Sequence, residues 1–200
     1  MYGRVFIQVG ANMGNDTFYK ICKTYNPSKI ILIEPVIECH THLRECYKDL
    51  PNVYYEHTAI VDDDSVDTVK LCQVDLRHNG GHSSVIPLKD WVITSDNSRN
   101  VPAVTLTSIL KKYDLVDIGL LFIDTEGNDS RIINSIDFNR YSIDTIIYEN
   151  WSFTSDSFND FNILNGIDGM NYIKNKLTNL GYTVKFDDEF AGGNYLAVKV

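Results

Sequence analysis

The stretch Val5–Gly14, VFIQVGANMG, sets an apolar run directly against a small-residue turn. Its first five residues read as a buried strand, and Asp16–Tyr25 reads as the helix that follows, closed by the breaker Asn26-Pro27. A strand, a glycine turn and a helix in this order bring bare backbone N–H groups up to a ligand. The helix N-terminus adds a partial positive charge there, so the junction is a natural cradle for an anion or a nucleotide. Glycine also ends many strands for steric reasons alone, so the rest of the chain must decide.

Working outward, KIILIEP (Lys29–Pro35) is a second apolar run that ends on an acid and a proline. Glu38–Leu50 has the spacing of an amphipathic helix, Pro51-Asn52 is a turn, and Val53–Val61 reads as a third strand. Three strands separated by helices predict βαβ units and a parallel sheet with helices on both faces. The middle breaks this rhythm. DTVKLCQV alternates like a half-exposed strand, the stretch from Arg77 to Asn100 before VPAVTL is polar and glycine-bearing, and together they read as an inserted hairpin and mobile loop. Order resumes with a helix over Leu106–Tyr113, a strand in IGLLFIDTEG, a helix around Ser130–Ser135 and a strand in DTIIYEN. After a last helix near Met170–Leu180, GYTVKFD and NYLAVKV stand too close for a helical crossover and should pair antiparallel.

The chain has 200 residues, 44% hydrophobic and 22% charged, enough to bury one core, and residues 1–200 are expected to form a single domain. A formal charge of −9 argues against sequence-blind nucleic-acid binding, which runs on clustered Lys and Arg. A small-molecule partner fits better. The N-terminal residues lack a signal-peptide pattern, and runs such as IILI and LLFI are too short to span a bilayer. Cys22, Cys39, Cys46 and Cys72 form no CxxC pair, which suits a reduced, cytoplasmic protein. Cys39, His42 and Cys46 share helical spacing and are candidate metal ligands. The same register aligns Cys39, Leu43, Cys46, Tyr47 and Leu50 into a core-facing stripe, and a structural zinc would want a fourth ligand.

An open parallel sheet binds ligands at the carboxyl ends of its strands. Every conspicuous polar cluster lies at such an end: GANMG, Glu34, DTEG and Glu149-Asn150. Glu34 stands about one half-unit beyond the glycine turn, where a carboxylate accepts hydrogen bonds from a ribose diol. The turn carries Gly10, Asn12 and Gly14, with Asn where a dinucleotide fingerprint has its second Gly, which disfavours a pyrophosphate. Asp124 and Glu126 are candidates for a general base, or with Glu149 for ligands of a hard divalent ion. A plainer reading makes Asp124 the N-cap of the next helix. His82 sits in a glycine-flanked loop as a further acid–base candidate, and Trp151, Phe153 and Phe158 are candidates for a sugar face.

In VFIQVGANMGNDT, ILIEP, TAIVD, GGHSSV, VPAVTLTSIL and IGLLFIDTEGND followed by IIYEN, the chain resembles the FkbM-type S-adenosylmethionine-dependent methyltransferases. The resemblance covers about Val5–Asn150. It implies a doubly wound, Rossmann-like class I methyltransferase sheet of about seven strands, the last antiparallel. It further implies O-methyl transfer from S-adenosylmethionine to a hydroxyl, with carbohydrate and natural-product hydroxyls the expected acceptors. It places Gln8, Gly10, Asn12 and Gly14 at the methionine end of the cofactor, Glu34 on the ribose and Ala59 beside the adenine, with Pro35 also among the cofactor-binding residues. Ser84, His82 and Asp124 border the cofactor, and Asp124, Glu126 and Gly127 match the IDxEG signature. Gln8 stands where an acidic residue is common, and Thr125 replaces the usual aliphatic residue. A cofactor-binding module without activity and a nicotinamide-dependent oxidoreductase are the alternatives.

Overall fold

The computed structural model describes residues 3–72, 74, 83–85, 94, 96–149 and 166–200. Val5–Val9 forms β1, Lys29–Ile33 β2, Val53–Glu56 β3, Asp117–Ile123 β7 and Ser142–Tyr148 β8, with Tyr182–Asp187 as β9 and Asn194–Lys199 as β10. These seven make one sheet in the order β3-β2-β1-β7-β8-β10-β9. All neighbouring pairs up to β8 are parallel, and β10 runs antiparallel to both β8 and β9. The central strands are apolar on both faces, as parallel strands under helices must be.

The helices α1 (Thr17–Tyr25), α2 (Cys39–Cys46), α3 (Leu106–Lys112), α4 (Asp129–Ser135) and α5 (Gly166–Asn179) divide between the faces. Ile7, Val9 and Ile31 point into the layer formed with Leu106 and Ile109 of α3, Ile132 and Ile133 of α4, and Ile173 and Leu177 of α5. Phe6, Leu32 and Phe122 point the other way, onto Phe18 and Ile21 of α1 and Leu43 of α2. This alternation along each strand is what the period of two dictates, and it makes the sheet doubly wound. Among the described residues no helix is long and apolar enough to cross a membrane.

The expected third strand over Val53–Val61 is in fact two. It breaks at His57 and Thr58, and β4 (Ala59–Val61) leaves the main sheet to pair in parallel with β6 (Ser98–Thr105), which pairs antiparallel with β5 (Thr68–Cys72). The Thr58 hydroxyl donates to the Pro102 carbonyl at 3.0 Å, fixing the departure. The predicted hairpin is therefore part of a second, three-stranded sheet. The second predicted helix is shorter than its apolar pattern, ending at Cys46 before a run of turn residues.

Register fixes where the loops begin. Val9 is level with Ile33 and with Ile123, and Ile123 with Tyr148. The next residues on these strands, Gly10, Glu34, Asp124 and Glu149, therefore start at one height along one edge of the sheet.

Candidate active site

Gly10 has φ +81°, and a Cβ there would lie 1.8 Å from the Asp124 carbonyl oxygen. Only glycine lets these two strand ends approach so closely. The Asp124 N–H donates to the Val9 carbonyl at 2.9 Å, and the N–H groups of Gly10 and Ala11 donate to the Ile33 carbonyl at 2.9 and 3.0 Å. The turn then folds Asn12, at φ +44°, over Glu34. The Asn12 N–H donates to Glu34 Oε2 at 2.7 Å and the Val36 N–H to Oε1 at 2.7 Å. Each carboxylate oxygen keeps a further acceptor position. Burial pushes Glu34 up to about 7, against the pull of these two N–H groups. His40 Nε2 meets the Glu34 carbonyl at 2.9 Å and supports the same segment.

On the other side of Gly10, Asp124, Glu126 and Glu149 each bring a carboxylate oxygen within 4.8 Å of the other two. Glu126 lies in the left-handed region at φ +54°, a conformation that costs about 1–3 kcal/mol in a non-glycine residue. The turn is held by Asp129, the first residue of α4, which is wholly buried. Its Oδ1 accepts from the Thr125 N–H at 3.0 Å and from the Thr125 hydroxyl, and its Oδ2 accepts from the Glu149 N–H at 2.8 Å. One carboxylate thus ties the turn after β7 to the end of β8.

Burial raises all four of these acids, and the Asp129 charge is the foremost electrostatic cause for Asp124, Glu126 and Glu149. Glu126 is pushed up to about 7. Helix α4 begins after Asn128, so Asp124 is not its N-cap, contrary to the plainer reading. Asn128 itself is buried and its Nδ2 donates to the Ile60 carbonyl of β4 at 2.9 Å, joining the acid turn to the second sheet.

These segments enclose an open cleft of about 620 Å³, solvent at its mouth included. Its wall carries the acids Glu34, Asp124 and Glu126 with Gly10 and Asn12, and the apolar residues Ala59, Ile60, Leu71 and Val85. Among the described residues no lysine, arginine or histidine lines it. Of the residues named from sequence, Gly10, Asn12, Glu34, Pro35, Ala59, Asp124 and Glu126 stand in this wall. Glu149 lies behind it, in the carboxylate group. Gln8 is buried beneath the wall and donates through Nε2 to Asp16 Oδ2 at 2.6 Å.

Gly14 faces α2 instead, where a Cβ would meet Leu43 Cδ1 at 2.6 Å and Tyr47 Cε2 at 2.7 Å. Ser84 bridges to Cys72 through its backbone, and its neighbour Ser83 takes the place in the wall. His82 and the aromatic run Trp151–Phe161 lie outside the described residues. Cys39 and Cys46 point their thiols at Asn12 Oδ1 and the Gly14 carbonyl, at 3.6 and 3.1 Å, and His42 is exposed. They pack α2 onto the glycine turn and do not converge as metal ligands.

The family described as the methyltransferase FkbM domain matches residues 8–184. None of the curated proteins matches the chain in sequence. In fold it is similar to the crystal structure of methyltransferase FkbM from Methylobacillus flagellatus KT, with a TM-score of 0.56 and 12% identity over 98% of this chain and 43% of that one. It is also similar to an O-methyltransferase from Bacillus cereus solved in complex with SAH, with a TM-score of 0.53 and 9% identity over 98% of this chain and 74% of that one. The chain spans less than half the length of the Methylobacillus protein.

Proposed function

This chain belongs to the methyltransferase FkbM domain family, and on that premise we propose that its cleft binds S-adenosylmethionine and transfers the methyl group to a hydroxyl of a sugar in a glycan or glycoconjugate. The observation that carries the reading is the charge of the wall. S-adenosylmethionine has a sulfonium and an ammonium against one carboxylate, and the described wall offers Glu34, Asp124 and Glu126 with no cationic side chain. A net cation is drawn to such a cleft and pulls its raised carboxyl groups back toward their ionised form. Glu34 retains acceptor positions for a ribose diol, and the apolar side chains of Ala59 and Leu71 in the wall suit an adenine ring. The Ser83 hydroxyl is buried there without a protein partner among the described residues, as a group that bonds a ligand would be.

The bound cofactor supplies an already activated methyl group. The chain's task is to hold an acceptor hydroxyl in line and take its proton. Glu126 suits the second role, because its carboxyl, raised to about 7, is half-ionised near neutrality and still basic enough to accept a proton. Asp124, buried deeper and pushed up by Asp129, Glu126, Asp16 and Glu34, orders the wall around it. Asp124, Glu126 and Glu149 also form an oxygen set of the kind a hard divalent cation takes, and metal removal separates that role from simple base catalysis. A nicotinamide dinucleotide fits poorly. Its pyrophosphate would face carboxylates, and the N-terminus of α1 is already capped by Asp16, whose Oδ1 accepts from the Tyr19 N–H at 2.9 Å.

The test is incubation with methyl-labelled S-adenosylmethionine and glycans from the source cells, with and without EDTA. Label in an alkali-stable ether of the carbohydrate fraction is expected, and Glu126→Gln should lower it by about 100-fold or more at saturating cofactor. Label confined to protein or nucleic acid would refute the acceptor class.

A further inference from the structure

The strand that leads into Glu34 loses its neighbour just where the cleft begins. The Glu34 N–H still donates to the Glu56 carbonyl at 3.0 Å, but β3 ends there and the chain leaves through His57 and Thr58 for the second sheet. The carbonyls of Glu34 and Pro35 therefore have no β3 ladder to join, and two imidazoles take them instead. His40 Nε2 lies 2.9 Å from the Glu34 carbonyl oxygen, and His57 Nε2 lies 3.0 Å from that of Pro35. A carbonyl only accepts, so both rings carry a proton on Nε2. The rings meet edge to face with centroids 5.4 Å apart, so each steadies the other.

The Pro35 carbonyl and the Val36 N–H are the two ends of one planar peptide unit. That N–H donates to Glu34 Oε1 at 2.7 Å. Holding the oxygen aims the N–H, and a bond accepted at one end of the unit strengthens the bond donated at the other. Burial raises the Glu34 carboxyl, and of the two N–H groups that oppose it the Val36 contact counts for more. We propose that His57 and His40 are positioning residues for ribose recognition, fixing the peptide units on either side of Pro35 and so aiming the Glu34 carboxylate into the cleft. Neither ring stands in the cleft wall; they act through Glu34 and Pro35, which do. The inference rests on the cleft's binding S-adenosylmethionine with Glu34 on the ribose.

Calorimetry on the full chain compares S-adenosylhomocysteine with its 2′,3′-dideoxy analogue, which lacks only the diol. The unsubstituted chain should prefer the diol by about 10- to 100-fold. His57 is exposed, so His57→Phe removes the donor at little risk to folding. It should cut that preference by about 5-fold or more, while the analogue binds as before within about twofold. His57→Gln sets an amide N–H as many bonds from Cβ as Nε2 of the ring, and should keep the preference within about twofold of the original. His40→Phe and His40→Gln repeat the comparison at the buried ring, and the His57 pair decides alone if they do not fold by circular dichroism. An unchanged preference in His57→Phe, equal weakening of both ligands, or the same loss in His57→Gln overturns the inference. An unsubstituted chain that binds both ligands alike instead overturns the placing of Glu34 on the ribose, and one that binds neither overturns the cofactor reading beneath both.

Discussion

Replacing Gly10 by alanine puts a methyl carbon 1.8 Å from the Asp124 carbonyl oxygen, and the ends of β1 and β7 would have to part by about 1.2 Å before the contact reached even 3.0 Å. Both partners are backbone in the centre of the sheet, so no side chain can swing aside. The left-handed conformation adds about 1–2 kcal/mol for any L side chain, and forced repacking about 1–3 kcal/mol. The sum, about 2–5 kcal/mol, is a large share of a typical stability. For a chain of this size it corresponds to a fall of about 4–20 °C in Tm. Gly181 supplies the control, since its φ is +87° but a Cβ there meets nothing within 4 Å. Gly181→Ala should therefore lower Tm by only about 2–8 °C. Scanning calorimetry of both variants, with S-adenosylmethionine titration of each, reads the difference. Equal falls in Tm, or normal cofactor affinity in Gly10→Ala, would refute the close approach of β1 and β7 as the basis of the site.

Asp129→Ala leaves the Thr125 N–H, the Thr125 hydroxyl and the Glu149 N–H without their shared acceptor. A loss of about 2–5 kcal/mol by urea titration is expected, and a loss below about 0.5 kcal/mol would contradict the tie between β7 and β8. Glu34 and Glu126 are each raised from 4.5 to about 7 in the folded chain. Between those values the unfolded chain has released protons that the folded chain still holds. Their contribution to the stability of the ligand-free protein is therefore full below about pH 4.5 and is lost as pH rises through about 7. Thermal melts from pH 5 to 8 should show that decline, and Glu126→Gln should flatten it; a slope unaffected by the substitution would contradict the shift.

The order of elements was legible because the parallel strands are nearly continuous apolar runs and the helices carry a period of 3.6. Strand-end logic then found Gly10, Glu34, Asp124 and Glu126, because each directly follows such a run or lies within three residues of one. The departure of β4 from the main sheet left no mark in the hydrophobic pattern, since Ala59–Val61 is buried in either arrangement. The Thr58–Pro102 hydrogen bond that diverts it links residues far apart in sequence. Asp129 and Asn128 were hidden for a similar reason. TEGND reads as a polar turn, and nothing local reveals that one acid is buried under three donors while its neighbour reaches Ile60. An acidic residue at the start of a helix, just past a strand-end turn, was the available signal. Asp16 was legible as the start of α1, but its bond to Gln8 depends on how the turn folds back.

Calorimetric titration of the full chain with S-adenosylmethionine and, in parallel, with NAD bears on the acid-walled cleft most directly. Saturable binding of the sulfonium cofactor, lost in Glu34→Ala, with no heat from NAD, is the predicted result. Preferential binding of NAD, or sulfonium binding indifferent to Glu34, would contradict it.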